Sequence, residues 1–459
     1  MIAKKIIPPI RLLDKYQVIL NKTETVRSLG NVVEVAGNII YSTGPDAKLG
    51  EICHVERVED ESYIMAEVVG FKDNVIILSP MENITGIYSG CRVLSTGNPL
   101  RVSLGDQLLG RVIDGMGSPL DEKGKLVSDE IRTLYNRPPN PLERPIIHEV
   151  MPVGVKTIDS LLTLGRGQRV GIFSGSGVGK STLLGMIARY AQADVNVIAM
   201  IGERGREVSE FIKNDLGEIG LKKSILVVAS SNESAMHRVR AAYMATTIAE
   251  YFRDKGKDVL LLMDTVTRLA MAQREIGLSA GEPATTRGYP PSVFSMLPEL
   301  MERAGTSSKG TITGIYTVLA EADDMNDPIV DTVRGILDGH IVLSRKLANR
   351  SHYPAIDVVS SISRSMNSII PKEHVRLAAS IKEMMSEYND NEEIINLGAY
   401  VKGANPVLDR SLMIRNQLNA FLNQEVEDFQ TFENSLNQLK EVYSLLNRDQ
   451  RKPRRAGQV

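Results

Sequence analysis

The pattern of hydrophobic and polar positions changes period along the chain, and each change marks a different kind of structure. In the first 22 residues Leu12, Leu13, Tyr16, Ile19 and Leu20 share one face at helical spacing. That stripe reads equally as a helix capping the next domain or as a helix that docks a partner. From about 25 to 95 short β-rich runs take over: Gly30–Val35, Asn38–Ser42, Tyr63–Phe71, Asn74–Leu78 and Arg92–Leu94. Gly, Asn, Asp and Pro separate them at the short spacing of a small antiparallel barrel or sandwich. Further β-like pieces follow over 101–135. Arg137 to Pro145 then carries four prolines in nine residues, an extended connector without helix or central strand.

Beyond the connector the strands become continuously apolar. Arg169–Phe173, Val195–Ile201, Ile225–Ala229 and Val259–Met263 have the composition of parallel strands buried on both faces. Helical stretches begin near Lys180, Gly205 and Glu233, so the series is βαβα and predicts a parallel α/β sheet with right-handed crossovers. After about residue 376 the strands stop. His374–Tyr388, Asn391–Gly398 and Pro406–Leu446 carry helical periodicity, and Arg448–Val459 is a basic, polar tail without an apolar face.

Composition narrows the function without naming it. The 459 residues hold 54 Lys plus Arg against 56 Asp plus Glu, a net charge of −2. Near neutrality argues against a surface devoted to nucleic acid. Cys53 and Cys91 are the only cysteines, so neither a disulfide scaffold nor a Cys-rich metal site is expected, and both read as inert core thiols. The longest apolar runs fall far short of the ~20 residues a membrane-spanning helix needs, and the opening residues lack a long apolar signal region. A multidomain, soluble, cytoplasmic protein is the expectation.

The sharpest chemical signal is Ser174-Gly-Ser-Gly-Val-Gly-Lys-Ser181, between an apolar strand and a helix. Gly175, Gly177 and Gly179 let backbone N–H groups point inward at a phosphate, with Ser176 and Val178 between them, and the helix N-terminus adds partial positive charge. Lys180 is placed for the β- and γ-phosphates, the Ser181 hydroxyl for Mg²⁺, and Thr182 follows in the first turn. Ser174 stands where the general pattern has glycine, a small departure that the strand–loop–helix context offsets. Asp264, closing the run Val259–Met263, is a charge on the end of a buried strand, and a Mg²⁺ held through water accounts for it economically. Glu203 follows the strand Val195–Ile201 on the same sheet edge, aimed at the γ-phosphate region to polarise a water. Arg204 and Arg206 are positioned by sequence to balance charge there; Glu207 reads as part of a surface salt-bridged turn.

With these residues in view the chain resembles the catalytic subunits of hexameric rotary-type ATPases, and within them the flagellar protein-export ATPases. The resemblance is carried by Phe173–Thr182, Gly202–Val208, Met263–Arg268, Ala272–Gly277, Asp323–Pro328, Arg334–His340 and Tyr353–Asp357, and covers about 25 to 446. It implies an α/β fold with a RecA-like P-loop ATPase core, an N-terminal β-barrel and a C-terminal all-α domain. The corresponding spans are a docking helix at 1–22, the barrel at 23–96, the core at 97–375 and the helical domain with its tail at 376–459. It implies ATP and Mg²⁺ as cofactors and a homohexamer with nucleotide between neighbours. Arg364 matches the arginine finger given to the adjacent subunit. Tyr353 matches the position that stacks on adenine, although a buried aromatic explains it equally well. Further implied partners are a regulatory dimer at the N-terminal helix, a coiled-coil stalk at the loop Asp323–Pro328, export-gate membrane proteins and chaperone–substrate complexes. The implied place is the cytoplasm, peripherally at the inner face of the membrane.

Two readings from other classes compete. A non-catalytic ring subunit should lack the loop lysine or the general base, and Lys180 and Glu203 are both present. A ring-shaped RNA translocase should carry aromatic and basic residues on one face of its N-domain. Residues 25–95 hold only Tyr41, Tyr63, Phe71 and Tyr88 as aromatics, with no basic cluster beside them. An export ATPase, flagellar or of a virulence injectisome, without a nucleic-acid partner, is the reading the sequence favours.

Overall fold

The computed structural model describes residues 28–450 except 59–60, 128, 321–323 and 325, with the side chains of 447–450 set aside. The N-terminal stripe, the basic tail beyond residue 450 and part of the acidic loop Asp323–Pro328 lie outside the described residues, while 448–450 continue the last helix. The chain divides into two compact units, Met1–Leu100 and Arg101–Val459.

In the first unit six antiparallel strands close into a barrel in the order β1-β2-β5-β4-β3-β6. They are β1 (Leu29–Ala36), β2 (Ile39–Ser42), β3 (Glu51–Arg57), β4 (Ser62–Lys72), β5 (Val75–Pro80) and β6 (Arg92–Pro99). Alternate residues point inward, so Val32, Ile40, Val55, Ile64, Val68, Leu78 and Val93 form the filling. Strand β3 is absent from the sequence reading. Glu51, His54, Glu56 and Arg57 mask it, while Cys53 and Val55 face the interior. Strand β6 also runs to Pro99, beyond the expected limit at 96. Cys53 and Cys91 are both free and buried, and burial, then the charge of Glu51, pushes the Cys53 thiol up to about 12. A thiol that holds its proton so firmly is a poor nucleophile at neutral pH.

The second unit is built on a nine-stranded sheet. After β7 (Arg101–Leu104), β8 (Val112–Asp114) and β9 (Glu130–Thr133) come the parallel strands β10 (Arg169–Ser174), β11 (Val195–Glu203), β12 (Ser224–Ser230) and β13 (Asp258–Asp264). Beyond them lie β14 (Gly305–Thr306), β15 (Thr311–Leu319), β16 (Gly339–Leu343) and β17 (Ile356–Ser363). The order is β17-β16-β10-β15-β13-β11-β12-β8, with β14 hairpinned onto β15. Among the described residues of this sheet only β17 and β14 run antiparallel to their neighbours, while β7 and β9 pair antiparallel in a separate two-stranded sheet. Every residue of β11 is buried, as a central strand covered by helices on both faces requires. Among the covering helices are α1 (Lys180–Tyr190), α2 (Ala235–Asp254) and α3 (Val266–Ser279).

The proline-rich connector is extended except for one 3₁₀ turn, Pro141–Glu143, started by Asn140, whose side chain accepts the Leu142 N–H. The Asn140 cap, with Pro141 at the first position, introduces a turn into the expected extended run. The C-terminal helices also differ from their expected bounds. His374–Tyr388 and Asn391–Gly398 are one continuous helix, α4 (Lys372–Asn396), because the polar residues Asn389 and Asp390 between them sit on its exposed side. Pro406–Leu446 is instead two helices, α5 (Pro406–Leu422) and α6 (Phe432–Gln450). Asn405 caps α5 by accepting from Val407 and Leu408, with Pro406 in the first turn.

Candidate active site

The site forms at the C-terminal edge of the parallel strands, where β10, β15, β13 and β11 end in that order. The β10 strand ends in Ser174, and the chain turns through Gly177 (φ +75°) and Gly179 (φ +88°) into α1. Those angles are left-handed, open to glycine at no steric cost. Gly179 is the residue before the first helical turn, so the free N–H groups of α1 face the loop. Val178 is buried and anchors the loop, whereas Ser176 and Gly177 are exposed. Ser174 is buried and its Oγ has no hydrogen-bond partner among the described residues.

Lys180 joins the loop to both carboxylates singled out by sequence. Its Nζ donates to Asp264 Oδ1 and lies 3.8 Å from Glu203 Oε1. Asp264 Oδ1 also accepts from Thr317 Oγ at 2.6 Å, so a strand neighbour fixes the carboxylate. Glu203 is 5% exposed, and its Oε1 is a buried carboxylate oxygen without a hydrogen-bond partner among the described residues. Burial first, then the hydrogen bond with Glu207 and the charge of Asp264, push its carboxyl up to about 8, against the pull of Lys180 and Arg268. The same hydrogen bond holds Glu207 below its ordinary range.

The arginines are arranged differently from the sequence expectation. Arg204 is 78% exposed and pairs with Glu207 at 3.8 Å, and Arg206 pairs with Glu210 at 2.7 Å on the outside of the same helix. Arg268, in the first turn of α3, turns inward instead. It donates to the Gly202 carbonyl and lies 3.4 Å from Glu203 Oε2. Neither Arg268 nor Thr317 was assigned a role from sequence; for Arg268 the available signal was its position four residues after Asp264, one helical turn on.

Tyr353 stands against the loop. A methyl group on Gly179 would come within 3.3 Å of its ring, which is 42% exposed. Arg364 lies elsewhere. Strand β17 runs antiparallel to β16, pairing Ile356 with Leu343 and Ser363 with Gly339. Ser174 is level with Leu343, so the Ser363 end is the opposite edge of the sheet. There the Arg364 N–H donates to the Asp338 carbonyl at 3.0 Å, and its exposed guanidinium to the Leu337 carbonyl at 3.2 Å. About 16–20 Å of strand separates it from its own chain's phosphate loop, more than an arginine side chain spans.

The donor set fits Mg²⁺ with a nucleotide triphosphate. The Ser181 hydroxyl is exposed at the start of α1 and Asp264 stands at the end of β13, one strand removed from β10; both are hard oxygen donors. Among the described residues no group of three or more His, Cys, Asp or Glu could hold a metal by itself. The ion would therefore share phosphate oxygens and water with these two side chains. Once bound, it supplies charge neutralisation across the β- and γ-phosphates.

A barrel preceding a parallel core with this loop, and a helical bundle after it, defines the class of P-loop ATPases built on a RecA-like domain. Three family models match successive parts of the chain. The β-barrel domain of the ATP synthase alpha/beta family covers 32–97, the nucleotide-binding domain of that family 154–363, and the T3SS EscN ATPase C-terminal domain 370–441. A flagellum-specific ATP synthase of Bacillus subtilis is 52% identical over 420 residues, 91% of this chain and 95% of the relative. A type 3 secretion system ATPase of Xanthomonas euvesicatoria is 48% identical, over 91% of this chain and 94% of that one. The assembled ATPase EscN of the enteropathogenic E. coli type III secretion system superposes with a TM-score of 0.86 at 46% identity, over 90% of this chain and 99% of EscN. EscN in complex with its central stalk EscO gives 0.83 at 45% identity. The chain belongs to the flagellum-specific and type III secretion ATPase branch of the ATP synthase alpha/beta family, and is an ATPase of type III protein export.

Proposed function

We propose that this chain hydrolyses Mg²⁺-ATP in a homohexameric ring and that the turnover energises export of unfolded flagellar proteins. The observation that carries the site assignment is the convergence of Lys180, Glu203 and Asp264, from three separate strand ends, on one point beside the phosphate loop. Gly175, Ser176, Gly177, Val178 and Gly179 form the phosphate cradle, and Lys180, Ser181 and Thr182 complete it. Lys180 neutralises the transferred phosphoryl group, Glu203 takes the proton of the attacking water, and Ser181 with Asp264 hold Mg²⁺. Arg268 orients Glu203 and balances charge there, the latter a part expected of Arg204 and Arg206. Tyr353 stacks on the base. Arg364, remote from its own loop, serves a neighbour's γ-phosphate.

The ring and a central stalk come to this chain from the assembled relatives. A regulatory dimer, export-gate proteins and chaperone–substrate complexes are proposed from the family resemblance. So is a cytoplasmic location at the inner face of the membrane, with which the lack of a helix long and apolar enough to cross one, among the described residues, is compatible. The flagellar branch is preferred over the injectisome on the segments Gly44–Cys53 and Leu397–Gly403. Deleting the gene should stop filament assembly while leaving effector secretion intact, and the reverse outcome would assign it to an injectisome.

Glu203→Gln tests the mechanism. The amide keeps the shape but accepts no proton, so ATP turnover should fall by about 10²–10⁴-fold while Mg²⁺-ATP binding, measured by calorimetry, stays within a factor of a few. Equal loss of binding and turnover would make Glu203 structural. Its raised pKa also sets a pH dependence. The base works only as the carboxylate, so kcat/KM, which reports the free enzyme, should climb as pH rises toward about 8 and level off above it. A flat profile between pH 6 and 9 would contradict that assignment.

A further inference from the structure

The loop that carries Tyr353 is fixed by residues from the far end of the chain. In the linker between α5 and α6, the Asn423 Oδ1 accepts the Tyr353 N–H at 3.1 Å, and the Gln424 N–H donates to the Tyr353 carbonyl at 2.9 Å. One dipeptide thus holds both polar groups of the Tyr353 backbone.

That dipeptide is itself anchored. Gln424 is buried, its Oε1 accepts the Lys156 N–H at 2.8 Å, and its Nε2 donates to the carbonyls of Gly154 at 2.9 Å and Asp428 at 2.6 Å. The Lys156 ammonium donates to the Asn423 carbonyl at 2.9 Å and lies 5.8 Å from the centre of the Phe421 ring. Three segments, 154–156, 353 and 423–428, meet in one knot of hydrogen bonds.

We infer that Asn423 and Gln424 are positioning residues for the nucleotide base, setting where the Tyr353 ring stands over the phosphate loop. The inference rests on the reading of Tyr353 as the base-stacking residue. Stacking needs ring and base in van der Waals contact, so a small displacement of the Tyr353 backbone weakens it while the phosphate cradle is untouched. Elsewhere in this loop the His352 N–H donates to the Leu347 carbonyl, the Ile356 N–H to the Pro354 carbonyl and the Ser344 N–H to the Ala355 carbonyl, and Arg350 donates to Glu392 at 2.9 Å. None of these touches Tyr353 itself, whose backbone is held by the C-terminal linker.

The test compares a ligand that has a base with one that lacks it, on the full chain. Calorimetry gives the affinities for ADP and for inorganic pyrophosphate. Asn423 is exposed, so Asn423→Leu removes the acceptor at little cost to folding. It should weaken ADP binding about five- to tenfold, the worth of one hydrogen bond, and leave pyrophosphate binding unchanged. It should raise the ATP KM with kcat held. Asn423→Asp keeps the acceptor and should restore ADP affinity. Gln424→Leu should show the same split; if it does not fold, the Asn423 series decides alone. Tyr353→Ala separates the two readings. If it weakens ADP while Asn423→Leu does not, the positioning role is overturned and the base contact stands. If Tyr353→Ala has no effect, both fall. Equal weakening of ADP and pyrophosphate by Asn423→Leu would mark general loosening and also overturns the inference.

Discussion

Lys180→Ala should lower ATP turnover by at least about 10²–10³-fold, the loss seen when one preorganised charge aimed at a transition state is removed. Two effects add. The ammonium no longer neutralises the phosphoryl group in flight, and the two carboxylates it stands between, Asp264 and Glu203, are left facing each other. Each is nearly buried, so their repulsion is poorly screened, and the Glu203 carboxyl moves further up from a position already far above its ordinary range. The carboxylate fraction of the base, already small at neutral pH, falls further, and the base loses its partner. Steady-state ATPase assays, with circular dichroism to establish that the variant folds, check this. A variant hydrolysing ATP near the parent rate would place the chemistry elsewhere.

The parts of the site that sequence reveals are those whose chemistry is local. Three glycines around a Lys-Ser pair state a phosphate loop by themselves, because the backbone angles and the helix start come from neighbouring residues. Asp264 is visible because a carboxylate at the end of a wholly apolar run needs a partner. Glu203 is visible because parallel strands end on a common edge. Arg268 and Thr317 were hidden, since an arginine in a helix's first turn and a threonine inside a strand are ordinary residues until the fold sets them beside Glu203 and Asp264. Arg204 illustrates the converse. It neighbours Glu203 in sequence, yet the chain enters a helix at Gly205 and carries the Arg204 side chain outward.

In the architecture, a similar line separates pattern from partnership. The apolar runs marked β10 to β13 to within a residue or two, because strands buried on both faces need no alternation. Strand β3 stayed hidden behind its polar outer face, and the break between α5 and α6 depends on the buried side chain of Gln424 and its bonds to Gly154 and Lys156. No periodicity over 406–446 reports contacts with residues some 270 positions earlier.

Arg364 carries the account's central claim, that the catalytic unit is a boundary between subunits. In its own chain it sits at the edge of the sheet opposite the phosphate loop. Arg364→Ala should therefore fold and bind nucleotide normally yet lose about 10³-fold or more in turnover, as loss of an arginine finger does. Specific activity of the parent should rise with protein concentration as rings assemble, and that rise should be flat in the variant. The decisive measurement is to mix Arg364→Ala with Lys180→Ala subunits and assay ATPase activity in rings shown to contain both. In a head-to-tail ring each boundary joins one subunit's loop to its neighbour's finger, so random mixing at equal amounts rebuilds about a quarter of the boundaries. Mixing each variant with the parent protein measures how far a single dead subunit poisons a ring. Corrected for that, activity should return from two inactive proteins and peak near equal proportions; co-assembled rings that stay inactive at every ratio would contradict the account.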